Sequence, residues 1–185
     1  PISYFGTMKS GLVDQASNTG AVIVPVNDAD TPVADITLAG TSSNQAIIPD
    51  ANIVFGLVGT TVRTVTVTAP SNVGGQVNIT ITATDPELGT GSYVWPVTVN
   101  AKPVLAVSTK TTPENTPIDI DLQTFVTDDL TPLDKISFEV SRARDGTVSL
   151  LPDGHTARFT PTSNYNGTAS FRLLVRDQSL GPRTL

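Results

Sequence analysis

The side chains able to do chemistry in this chain are few and mostly acidic. There are 17 Asp and Glu against 11 Lys and Arg, a single histidine and no cysteine. Without thiols neither a disulfide nor a thiolate metal site can form, and one imidazole does not build an ordinary zinc site. The histidine, His155, follows Pro152-Asp153-Gly154 and reads as an exposed turn residue with no nucleophile motif beside it. Carboxylate pairs of the glycosidase kind are numerous in so acidic a chain, but a small domain without a long functional loop gives them no cleft. The chain is expected not to be an enzyme. Hard carboxylate oxygens in loops do suit Ca²⁺, which takes roughly six to eight oxygen ligands. The net charge of −6 also suits divalent cations, and it leaves no basic stripe for nucleic acid.

Two further chemistries need weighing. Exposed aromatics can stack on sugars, and Tyr4, Phe5, Tyr93, Trp95 and Tyr165 are the candidates; Tyr93 and Trp95, however, share a face with Val97 and Val99 and read as core. Tyr165, in the turn Asn164-Tyr-Asn-Gly167, reads as a plug at the end of its domain, where the first half of the chain has Val73. The triplets Asn78-Ile-Thr80 and Asn166-Gly-Thr168 are glycosylation sequons, a pattern that Thr-rich chains also produce by chance.

The elements that position these residues are strands, and they come twice. Residues 64–85 return without a gap as residues 156–177, placing Asn72 on Asn164, Gly75 on Gly167 and Asp85 on Asp177. Upstream, Asp28 and Thr31-Pro32 answer Asp128 and Thr131-Pro132, and Pro1-Ile2 answers Pro103-Val104. A period near 100 residues exceeds that of solenoids and propeller blades and is the size of one β-sandwich. Val77, Ile79, Ile81 and Ala83 alternate with polar residues, as do Phe171, Leu173 and Val175, while clusters such as Asp85-Pro-Glu-Leu-Gly-Thr-Gly91 supply turns. No stretch reads as an amphipathic helix, and no apolar run is long enough to cross a bilayer.

The reading is all-β, two tandem antiparallel sandwiches at 1–101 and 102–185, joined at Asn100-Ala-Lys-Pro103. So short a junction, stiffened by proline, favours an extended arrangement. Pro96 cannot donate to a ladder, which predicts that its strand lies at a sheet edge or beside a bulge. The expected cores are Val77, Ile79, Ile81, Tyr93, Trp95 and Val97 in the first repeat, and Phe159, Ala169, Phe171, Leu173 and Val175 in the second. On that footing Phe171→Ala costs roughly 3–5 kcal/mol. The first repeat runs 15 residues past Asp85 to Asn100, the second only eight past Asp177. The last strand of the second repeat is thus expected to come from outside these residues, from a longer chain or from a neighbouring subunit.

The runs Thr112-Pro-Glu114-Asn115, Phe125-Val-Thr-Asp128-Asp129, Gly146-Thr-Val-Ser-Leu, Phe159-Thr-Pro-Thr-Ser-Asn-Tyr-Asn-Gly167 and Val175-Arg-Asp177 resemble bacterial cadherin-like tandem repeats. The first half is similar to a sister repeat through Gln15, Val26-Asn-Asp28-Ala-Asp30-Thr-Pro32 and Arg63-Thr-Val-Thr-Val. That resemblance implies Ig-like (cadherin-like) sandwiches of large secreted adhesins. It further implies an extracellular or cell-surface location and a calcium site at Glu114, Asp128, Asp129 and Asp177. In the first repeat it points to Asp28, Asp30 and Asp85, with Glu87 nearby and Asn18 roughly in the place of the glutamate. The sequence departs from cadherins at the junction, where Lys102 stands amid what would be ligands; the alternative is that these carboxylates shape turns. The implied function is a spacer or shaft of a surface protein or fibre, rigidified by calcium where that site is filled. Its partners would be neighbouring repeats of the same or an adjacent chain, or a surface glycan or protein. The other reading is a carbohydrate- or protein-binding accessory module of a secreted enzyme.

Overall fold

β-Branched residues on one face and Thr, Ser or Asn on the other give strands almost throughout, with only 3-10 turns of three or four residues between them. The computed structural model describes residues 2–106 and 108–177. It divides into two compact units, with the break between Ala101 and Lys102.

The first unit contains β1 (Ile2–Phe5), β2 (Gly11–Asp14), β3 (Val22–Val24), β4 (Val26–Asp28), β5 (Thr37–Ser42), β6 (Ile53–Val58), β7 (Val62–Val67), β8 (Gly75–Thr84) and β9 (Thr90–Asn100). One sheet has the order β2-β9-β8-β5, the facing one β3-β7-β6, and β1 pairs with β4. All pairs are antiparallel except β2 with β9. The inward residues of β8 and β9 meet β7 and β3 in one core: Val77, Ile79, Ile81, Ala83, Trp95, Val97 and Val99 are each at most 2% exposed. Tyr93 packs at the margin, stacked on Phe5. The indole N–H of Trp95 donates to the Lys9 carbonyl at 2.7 Å, so its one polar atom is satisfied. β2 can lie on the indole because residue 11 is glycine; a Cβ there would stand 2.7 Å from the ring.

The second unit contains β10 (Val104–Leu105), β11 (Ile118–Asp121), β12 (Val126–Thr127), β13 (Ser137–Arg144), β14 (Gly146–Leu150), β15 (Thr156–Pro161) and β16 (Ser170–Arg176). Its sheets are β11-β15-β14, β13-β16 and β10-β12. They correspond in turn to β3-β7-β6, to β5-β8 and to β1-β4. The two first-unit strands without a counterpart among the described residues, β2 and β9, are each other's partners.

Three expectations change. Pro96 is not on an edge strand: β9 lies between β2 and β8. The proline is accommodated because pairing with β2 starts one residue later, at Gly11 opposite Val97. Ala169 precedes β16 and is half-buried. Phe171, Leu173 and Val175 do face the second core, with Phe171 stacked on Phe159, yet all three are only partly buried. Their first-unit counterparts Ile79, Ile81 and Ala83 are fully buried, in a strand flanked on both edges by β5 and β9. The expectation about a final strand falls on residues 178–185, outside the described residues. The segment Ile2–Phe5 pairs with β4 within its own unit.

Burial therefore ranks two substitutions. Trp95→Ala removes a fully enclosed ring and is expected to cost about 3–5 kcal/mol. Phe171→Ala, half-open already, is expected to cost about half that. Urea denaturation followed by circular dichroism checks the order, and a larger loss at Phe171 would contradict it.

Candidate functional site

Among the described residues no three His, Cys, Asp or Glu side chains stand together so as to hold a metal ion. What the acidic residues do instead is visible in their hydrogen bonds. Asp28, at the end of β4, accepts the backbone N–H groups of Asp30 (3.3 Å) and Thr31 (3.2 Å). Asp128 accepts those of Leu130 (3.0 Å) and Thr131 (2.5 Å) in the same way. Each turn then passes through a proline of nearly the same geometry, Pro32 at φ −56°, ψ 140° and Pro132 at φ −57°, ψ 145°. A 3-10 turn follows, and a buried isoleucine, Ile36 or Ile136, starts the next stretch of core. Asp and Asn side chains close turns in this manner because they mimic a backbone carbonyl two or three residues on.

Asp85 has a comparable task at the β8–β9 hairpin. Its carboxylate accepts the Gly89 N–H at 2.6 Å, its N–H donates to the Gly89 carbonyl and its carbonyl accepts the Leu88 N–H. Asp30, Glu87, Glu114 and Asp129 are exposed, and Asp177 is half-buried just after β16. The side chain of Asn18 closes its own turn by accepting the Gly20 N–H. The carboxyls of Asp28 and Asp30 are hydrogen-bonded to each other, which holds Asp28 down to about 2 and pushes Asp30 up. Asp128 Oδ2 is buried and has no hydrogen-bond partner in the structure.

A second pair of ties joins loops at one end of each unit. Asn72 and Asn164, aligned in the repeat, both have left-handed backbone, at φ 60° and 58°. The N–H of Asn72 donates to Gln15 Oε1, and that of Asn164 to Asn115 Oδ1 at 2.9 Å. Asn115 Nδ2 also donates to Asn164 Oδ1 at 3.2 Å. Ala16 and Asn115 share positive φ, so Gln15, rather than Asn18, stands where Glu114 does. The sequence signal for these ties was the aligned asparagine; the amide that meets it differs between the copies and shows no repeat.

The remaining candidates take structural positions. His155 is half-exposed, with Nδ1 3.5 Å from Asp121 and Nε2 3.9 Å from Asp153. Trp95 is enclosed and Tyr93 bonds the Met8 backbone, so neither offers a face to a sugar. Tyr165 lies over Gly167 and donates to the Thr168 carbonyl, its hydroxyl pushed up mainly by desolvation. Asn78 and Asn166 are exposed. Charged pairs missed in the sequence lie on the outer faces of the second unit: Arg158 binds Asp119 through two bonds of 2.7 Å, and Arg176 binds Glu139 at 3.1 Å.

Residues 100–184 match a family model described as "Bacterial Ig domain". No curated protein matches the chain. Among solved structures, human desmocollin-1 ectodomain is similar at 14% identity over 98% of this chain and 39% of that one, with a TM-score of 0.44. Titin domains z1z2 in complex with telethonin give 12% identity over 95% of each chain and a TM-score of 0.37. Domains 5-6 of the S-layer protein SbsC give 14% identity over 94% of this chain and 91% of that chain, with a TM-score of 0.35.

The hairpin joining β14 to β15 yields a pH test. Asp153 Oδ1 accepts the N–H groups of His155 (3.1 Å) and Thr156 (2.9 Å), and bonds to the Thr156 side chain and N–H hold its carboxyl down to about 2. Asp119 is held low chiefly by its bond to Arg158. Both folded-state values lie below the unfolded ones, so the unfolded chain binds more protons. The stability they contribute is present above about pH 4 and is lost as pH falls toward 2. Protection of the amides of residues 146–161, measured against their intrinsic exchange rates at each pH, is expected to fall over that window, and less so in Asp153→Asn, which keeps an acceptor without the titration. An equally steep pH dependence in the variant would contradict this.

Proposed function

We propose that this chain is a tandem pair of non-catalytic Ig-like modules from an extracellular or cell-surface protein, serving as a spacer or shaft that holds a binding element away from the surface. The observation that carries the proposal is the duplication of structural devices. The Asp-x-x-Thr-Pro turn, the positive-φ asparagine with its amide tie, and the matching sheet orders recur from unit to unit. The conserved geometry within the chain serves folding at each point, as a repeated mechanical module requires. The family match over residues 100–184 supports the second unit's kind. Burial of Trp95 removes the main stacking platform on which a carbohydrate-binding module would rely.

Calcium is the one cofactor this reading admits, through Glu114, Asp128, Asp129 and Asp177. Asp128 Oδ2, lacking a hydrogen bond, speaks for it; Oδ1, occupied by two turn N–H groups, and the want of a three-residue cluster among the described residues speak against it. The geometry does not fit a preformed cage, and the spacer role does not need one.

Pulled by its ends, the chain is expected to unfold in two separate steps, the larger releasing on the order of 300 Å of extended chain. A single cooperative step would contradict independent modules. Melting in millimolar Ca²⁺ and in chelator is expected to give the same midpoint. A rise of several degrees that is lost in Asp128→Asn would establish the ion as part of the shaft.

A further inference from the structure

We infer that β6 is a docking edge for a second copy of this chain: two β6 strands pair antiparallel about a dyad at Gly56 and join their β3-β7-β6 sheets into one. The inference concerns the first unit alone and does not rest on the spacer reading.

The backbone of β6 faces two ways in alternation. The Asn52 carbonyl, just before the strand, accepts the Thr68 N–H, and β6 then pairs with β7 without a break in register. Val54, Gly56 and Val58 therefore turn their N–H and C=O groups to β7, and those of Ile53, Phe55 and Leu57 point to the other edge. Ile53 agrees, since its N–H donates back to the Asp50 carbonyl on that side. Among the described residues nothing there bonds the backbone of Phe55 or Leu57. The side chains tell the same story on both faces of the strand: Val54 is 58% exposed, Leu57 41% and Val58 59%. An apolar edge of this kind is a template for an incoming strand.

The occupant follows from the sequence of the strand. Val54-Phe55-Gly56-Leu57-Val58 reads the same in chemical type from either end. Turned about Gly56, Val54 meets Val58 of the second copy on the outer face, and Phe55 meets its Leu57 on the inner one. The same register sets the two residues with outward backbone groups opposite each other, so Phe55 and Leu57 exchange both their hydrogen bonds across the dyad. A shift by one residue would set Phe55 against Gly56, whose groups face β7. At the dyad itself the two glycines form a non-hydrogen-bonded pair, where Cα atoms come within about 4.5 Å. Residues 53–62 carry no charge, so the −6 of each chain sets no like charges against each other at the contact.

Two strands of the second unit carry the devices that discourage such pairing. β13 has Glu139, Arg142, Arg144 and a register shift between Ser141 and Arg144, and β14, the counterpart of β6, exposes Thr147 and Ser149. β6 has no charge, proline or register shift. A two-fold contact uses the same edge of both partners, so it closes at the dimer.

Sedimentation of the full chain from micromolar concentration to about 1 mM is expected to show a monomer–dimer equilibrium, weak because the contact is small. Over the same range amide exchange is expected to slow at Phe55 and Leu57 and to stay unchanged at Val54, Gly56 and Val58, which already bond β7. Two double variants at these exposed positions test the register. Val54→Lys with Val58→Lys places like charges opposite each other on both sides of the dyad and is expected to weaken the dimer at least about tenfold. Val54→Lys with Val58→Glu places opposite charges there and is expected to stay within about threefold of the parent. A chain that stays monomeric throughout would overturn the inference and leave the edge to a strand of some other protein. A dimer in which Phe55 and Leu57 exchange as in the monomer would overturn it too, as would one that both variants weaken alike.

Discussion

A strand inside a sandwich needs a partner on each edge and an opposing sheet over its apolar face; in the first unit β3-β7-β6 faces β8, β5 takes one of its edges, and the other belongs to β9. It pairs β8 along its whole length from Gly75–Val99 to Thr84–Thr90 and lends its other edge to β2. It also brings Trp95 into the core, with the indole N–H bonded to Lys9. The closed core of the first unit and the placing of its N-terminal segment both depend on that strand. Differences between the units follow from the same cause. Where β9 has no counterpart among the described residues, β2 has none either, and Phe171, Leu173 and Val175 stay partly open.

The acidic residues illustrate how a turn requirement and a ligand set draw on the same side chains. Asp at the end of a strand, followed by Thr-Pro, serves the backbone: the carboxylate accepts two N–H groups that the bend would leave orphaned, and proline fixes the φ of the next step. That task explains why Asp28 and Asp128 recur, without any ion. It also explains why the charge of −6 is spread along loops rather than gathered in one place.

The strands, the duplication and the turn residues were legible in the sequence because each is local: period-two alternation, fixed spacing, and Asp-x-x-Thr-Pro written twice. The enclosed face of β8 was legible too, since its partner strand lies next in the chain. What could not be read is what depends on distant contacts. Pro96 was expected at an edge, but the short length of β2 leaves room for it beside an interior strand. The depth of Phe171 depends on what packs around it and not on its own alternation alone. The amide ties from Gln15 to Asn72 and from Asn115 to Asn164 join residues about 50 positions apart and use different side chains for the same bond.

Residue-resolved amide exchange on the full chain tests the dependence on β9 most directly. β8 should be protected on both edges throughout Gly75–Thr84. In β16, whose partner among the described residues is β13, amides over residues 170–172 that point away from β13 should exchange faster than those bonded to it. Protection across residues 170–172 as uniform as that of β8 would contradict the account.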